Sequence, residues 1–163
     1  KQNLKKKILT KMYKYILVFF STIFLSCGDN IHEEYRSFNN KGWSSDTILH
    51  FKYTITDIKE NYDLSLNIRH TVDYKYQNLY VFLEGLEKDT IDIVLANKTG
   101  RWLGRGISDV REFKHIFSKK TNFVEKGEYK IRVEQAMRYG DLNRIENLEH
   151  ILDVGLVVSK HNE

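Results

Sequence analysis

The sequence predicts an all-β protein, an antiparallel β-sandwich of jelly-roll or immunoglobulin-like type, preceded by a cleavable N-terminal segment. Three observations lead there. Apolar and polar residues alternate in several short runs, as on strands with one buried face. Turn signals such as Asn97-Lys98-Thr99-Gly100 and Lys126-Gly127 separate those runs. With no proline and only 9 glycines in 163 residues, long linkers have little material, and one domain accounts for the length.

The N-terminal segment comes first. Lys5, Lys6, Lys7, Lys11 and Lys14 precede eleven largely apolar residues, 15–25. That is short of the ~18–20 residues needed to cross ~30 Å of hydrocarbon as a helix. A positive stretch followed by an apolar run of this length is instead the pattern of a secretory signal. A buried core helix would show a 3.6-residue period, which the run lacks. The series Phe24-Leu25-Ser26-Cys27 resembles the lipobox of bacterial lipoproteins, where a small residue precedes a cysteine that becomes acylated and N-terminal. Phe24 departs from the aliphatic residue usual there. Residues 1–26 are therefore expected to be a lipoprotein signal peptide, with 1–11 upstream of a start at Met12. Cys27 is the expected lipid-attachment residue, 27–42 a tether, and 43–163 the β-sandwich domain. A single cysteine also leaves no internal disulfide to form.

The signal also accounts for the charge. The chain carries a net +4, but residues 1–26 contain six lysines and no acid, so 20 bases face 22 acids beyond them. The domain has no electrostatic reason to bind nucleic acid.

Strands follow in order. Leu49, Phe51, Tyr53 and Ile55 alternate with polar residues, as do Tyr62, Leu64, Leu66 and Ile68. The run LYVFLEGL (79–86) is apolar enough to be expected as a central strand covered on both faces. Residues 90–96 and 127–136 alternate again, and ILDVGLVV (151–158) closes the series. SDVREFKHIF (108–117) and DLNRIENLEHIL (141–152) are the only places where short helices are expected.

Chemistry is sparse. GRWLGRG (100–106) fits neither a P-loop nor a dinucleotide fingerprint and reads as a tight loop around Trp102. Arg69, His70 and Asp73 lie close in sequence without a His/Cys cluster, so an Arg69–Asp73 pair holding a loop is expected rather than a metal. No Gly-x-Ser-x-Gly elbow exists, so no nucleophile is expected. Trp43 and Trp102 are expected in the core or in loops facing a partner; a sugar-stacking platform on either is the alternative.

Four segments together carry a resemblance: LNIRHTVDYKYQNLYVFL (66–83), TGRWLGRGISDVRE (99–112), GEYKIRVEQAMR (127–138) and ILDVGLVV (151–158). Together they are similar to the gliding motility lipoprotein GldH family of the Bacteroidetes. The matching positions include Arg69, Asp73, Tyr74, Asn78, Trp102, Gly104, Glu134, Gln135 and Arg138. Lys75 and Val124 stand where the pattern has proline, and 143–150 is longer than the pattern expects. The resemblance implies a non-enzymatic envelope lipoprotein without cofactor or metal, anchored on the periplasmic face of the outer membrane. It implies a role in surface gliding tied to type IX secretion, with other gliding and secretion proteins as partners. The nine matching residues become candidates for partner binding or for stitching loops together. A polysaccharide-binding lipoprotein is the alternative.

Overall fold

The computed structural model describes residues 29–141 and 143–162. Cys27 and the expected signal peptide lie outside them. The described chain forms ten strands and no helix: β1 (Asn30–Ser37), β2 (Trp43–Ser44), β3 (Leu49–Ile55), β4 (Asn61–Thr71), β5 (Asn78–Glu84), β6 (Lys88–Val94), β7 (Val110–Asn122), β8 (Gly127–Gln135), β9 (Asn147–Leu148) and β10 (Ile151–Lys160).

Two four-stranded antiparallel sheets stack face to face, in the orders β1-β10-β4-β7 and β3-β8-β5-β6, and β2 pairs with β9 in a small third sheet. Without that small sheet, the two orders are those of a double Greek-key jelly roll, which decides between the two expected sandwich types. The winding is that of one long hairpin: β5 pairs with β6, β4 with β7, β3 with β8 and β1 with β10. When this ribbon curls over, β5 meets β8 and β10 meets β4.

The core lies between the sheets. Phe51, Tyr53 and Ile55 of β3, Leu64, Leu66 and Ile68 of β4, and Ile131 and Val133 of β8 are all buried. Val154, Leu156 and Val158 of β10 complete it, opposite Ile68, Leu66 and Leu64. The alternation seen in the sequence thus becomes one buried face per strand.

Four expectations need correction. Residues 30–37, assigned to the tether, form β1 and pair along β10 from Asn30↔Ser159 to Ser37↔Asp153. Their polar character misled because β1 is an edge strand, where charged residues are tolerated on both faces. Arg36, for example, closes the sandwich edge by sitting 5.4 Å over the Phe51 ring and donating to the His50 carbonyl. Residues 108–117 contain no helix; 110–117 belong to β7. The spacing of Val110, Phe113 and Phe117 suits a helix, but pairing with β4 over 61–71 overrides it. The described residues of 141–152 likewise form no helix: 143–150 hold turns and β9, with Leu148 buried opposite Trp43, and 151–152 open β10. Finally, β5 lies inside its sheet yet is covered on one face only: Tyr80 and Phe82 remain 39% and 43% exposed on the outer face. A two-layer sandwich has no third layer to cover them.

Among the described residues β6 is the edge of its sheet, paired on one side only, with β5.

Candidate functional site

Strand direction sorts the loops into two poles. At one pole lie the β4–β5 loop (72–77), the β6–β7 loop (95–109) and the segment 136–150 between β8 and β10. This loop pole gathers three of the four sequence segments that carry the resemblance.

The loops are sewn together by backbone. Leu95 and Ala96 both donate to the Gln77 carbonyl at 2.8 and 2.9 Å, and Leu103 donates to Leu95 at 2.9 Å. Val72 donates to Asp109 at 2.7 Å and Thr71 to His150 at 2.9 Å. Gln135, buried, donates to the Ile145 carbonyl at 2.6 Å and accepts from the Met137 amide at 3.0 Å. This candidate is a structural stitch.

Aromatic rings fill the pole. His70 lies edge-on to Trp102 with centroids 4.5 Å apart, and Tyr74 contacts His70, Tyr76 and Trp102 at 5.8, 5.5 and 6.5 Å. Tyr76 hands the row on to Tyr139 at 5.9 Å. The row therefore runs from the core to a residue 67% exposed. Burial raises the Tyr74 phenol pKa, and its hydroxyl donates to the Asn78 carbonyl at 3.2 Å. Burial also lowers the His70 pKa, against the opposing effect of the Thr71 carbonyl bonded to Nδ1 at 2.8 Å. Its Nε2 is buried with no hydrogen-bond partner among the described residues.

The loop around Trp102 lies tight against β7. Arg105 and Glu112 exchange backbone hydrogen bonds at 2.8 and 2.6 Å. A Cβ on Gly104 would stand 2.6 Å from the Glu112 carbonyl oxygen, and one on Gly106 1.9 Å from that of Val110. Those contacts are the physical reason for the glycines in Trp-Leu-Gly-x-Gly. Beyond them Ile107 projects, 90% exposed.

Arg69 sits on the outer face of β4 and does not pair with Asp73. Its Nη1 meets Asp153 at 2.9 Å, and its Nε lies 3.8 Å from Glu112. Asp153 also accepts from the Ser37 hydroxyl, and Asn67 donates to the Tyr35 hydroxyl at 2.9 Å and to Glu112 at 3.4 Å. This polar web ties together all four strands of the sheet. Arg69 and Gly104 line one groove of about 830 Å³ between the Trp102 loop and the outer face of β4 and β7.

The structure thus brings Tyr74, Asn78, Trp102 and Gln135 into one pole, with Arg69 and Gly104 beside it. Asp73 is exposed, its amide donating to Thr71 Oγ1 at 3.3 Å. Glu134 lies apart, on the outer face of β8, paired with Arg132. Arg138 is exposed and makes no ion pair with a described residue. Trp43 is fully buried, its Nε1 donating to Thr47 at 3.0 Å, while Trp102 is half-buried. Sequence reasoning missed Ile107 and Tyr139; their only signal was an apolar residue inside the polar turns GRGISD and MRYGD.

By class the described chain is a two-sheet antiparallel jelly roll whose loops are consolidated at one pole. The particular family follows from sequence: the profile of the GldH lipoprotein family matches residues 30–158, and the chain belongs to that family. It is 35% identical over 154 residues to the gliding motility lipoprotein GldH homolog of Christiangramia forsetii, covering 90% of this chain and 94% of that protein. It is 30% identical over 153 residues to gliding motility lipoprotein GldH of Flavobacterium johnsoniae, covering 89% and 94%. Among solved structures, a family GH115 4-O-methyl-alpha-glucuronidase aligns with TM-score 0.43 and 8% identity over 82% of this chain and 18% of that one, too distant to inform function.

Proposed function

We propose that this chain is a non-catalytic envelope lipoprotein that supports gliding motility by docking other envelope proteins through its loop pole. Both relatives are named as gliding motility lipoproteins, which supports the process. One observation carries the mode of action: segments far apart in sequence converge on one pole, where Ile107 is 90% exposed and Tyr139, at the end of the aromatic row, is 67% exposed. Exposed apolar side chains on a stitched framework are how a protein contact is prepared without ordering cost. The partners in this reading are components of the gliding and type IX secretion machinery, met at the periplasmic face of the outer membrane.

The polysaccharide reading has less support. Sugar stacking needs an open indole face, whereas Trp43 is fully buried and the half-buried Trp102 has the His70 ring against it.

Ile107→Asp with Tyr139→Ala tests the proposal, since both sites are too exposed to unfold the domain. Gliding speed should fall, and recovery of gliding or secretion proteins from gently solubilised envelope should be lost. Wild-type gliding and co-purification in this variant would sink the docking role of the pole.

A further inference from the structure

We infer that the pole opposite the loops rests directly on the phospholipid surface, so that the docking loops stand on the order of 35 Å out from it, at ~3.3 Å for each residue of β4. The inference rests on acylation of Cys27. Its geometric basis is Asp29, whose carbonyl accepts from the Lys160 amide at 3.0 Å and whose carboxylate accepts from Asn162 at 2.7 Å. Asp29 is thereby fixed to the end of β10. Cys27 lies two positions earlier in the sequence, and two residues reach ~7 Å at most. A β1 strand where a tether was expected leaves no longer leash.

The surface around Asp29 suits that posture. Three features meet there: the β3–β4 turn (56–60), the bulge in β7 at 119–120, and the β7–β8 turn (123–126). His161 fastens the end of the chain to the same place, its amide donating to Asn61 at 2.8 Å and its Nδ1 lying 2.9 Å from Asp63. Val124 is 85% exposed and Ile58 is 37% exposed. Lys59, Lys119, Lys120 and Lys126 are exposed around them and form no ion pair with a described residue. Isolated apolar side chains can enter the headgroup boundary while lysine stems lie along it and extend their ammonium groups to phosphates. Acids are interspersed with these lysines: Asp57 caps the Lys59 amide at 3.0 Å, Asp63 accepts from the Lys120 amide at 2.8 Å, Glu60 pairs with Lys160 at 3.0 Å, and Asp29 and Glu125 are exposed. No large net charge is required, because the acyl chains supply affinity and the short leash supplies a high local concentration.

The test uses the lipidated protein reconstituted into vesicles of phosphatidylethanolamine and phosphatidylglycerol. Acylated Cys27 leaves no free thiol, so Val124→Cys and Ile107→Cys each accept one nitroxide. At 124 the label should lose collisions with a water-soluble nickel chelate and gain collisions with oxygen, relative to the same label on an unacylated Cys27→Ser chain produced without residues 1–26. At 107 the two preparations should match. Acylated protein with equal aqueous access at both sites, or with shielding at 107, overturns the posture alone. Mass spectrometry finding no acyl chain on Cys27 overturns the anchor and the posture together.

Discussion

Replacing Gly155 by alanine probes how β1 is held to the rest of the fold. Gly155 lies directly opposite Tyr35 in the β1–β10 pairing, and the Tyr35 ring covers it. A Cβ there would lie 2.5, 2.6 and 2.9 Å from three carbons of that ring. Contacting carbons prefer ~3.5–4.0 Å, so the ring must swing away. It is not free to do so, because its hydroxyl accepts from Asn67 at 2.9 Å. Overpacking of this kind costs about 1–3 kcal/mol, while replacing an in-strand glycine by alanine returns about 0.5–1 kcal/mol. The net loss is centred on about 1.2 kcal/mol, which at a urea slope of about 2 kcal/mol/M lowers the midpoint by about 0.6 M. Urea unfolding of the soluble Cys27→Ser chain, followed by the fluorescence of buried Trp43, reads this directly. On a Tyr35→Ala background the clash is absent and the same substitution should gain about 0.5–1 kcal/mol, giving a coupling of about 1–3 kcal/mol. Wild-type stability of Gly155→Ala, or simple additivity with Tyr35→Ala, would refute the reasoning.

Two further predictions concern side chains near the candidate site. Burial holds the His70 pKa below its ordinary value, so the unfolded chain binds the proton first and stability falls as pH drops below about 6.5. In His70→Gln, stability measured by urea unfolding at successive pH values should fall less steeply there; an unchanged slope would remove His70 from the acid response. Arg69→Ala leaves the buried Asp153 carboxylate with the Ser37 hydroxyl as its remaining side-chain partner. The loss should be about 1–2 kcal/mol, limited by the partial exposure of Arg69, and Asp153→Asn on that background should recover part of it in the same assay.

The sandwich was legible because alternation is a direct record of one buried face. Leu49 to Ile55 and Tyr62 to Ile68 read as strands and are strands. What failed was whatever depended on neighbours across the chain. β1 looked like a tether because an edge strand need not be apolar, and its pairing with β10 lies more than a hundred residues away. β7 carries Phe113 and Phe117 at a spacing that suits either helix or strand, and only β4 decides between them. At the site, the glycines around Trp102 were rightly read as a tight loop, now explained by the carbonyls of Glu112 and Val110. The partner of Arg69 was misjudged: Asp73 is near in sequence, but the pleat places Asp153 beside it on the adjacent strand. Ile107 and Tyr139 gave almost no signal, since exposure of a single apolar residue is set by how loops settle.

The unpaired edge of β6 has a consequence at the scale of the membrane. Such an edge invites a second copy to add its own β6, and antiparallel addition is the stronger arrangement per residue. Antiparallel addition would set the acylated end of one molecule beside the loops of the other. In the lipid-anchored posture inferred above, two upright molecules sharing one leaflet would point the same way and could not adopt it, so a short lipid leash would restrain these domains from zipping into a continuous sheet.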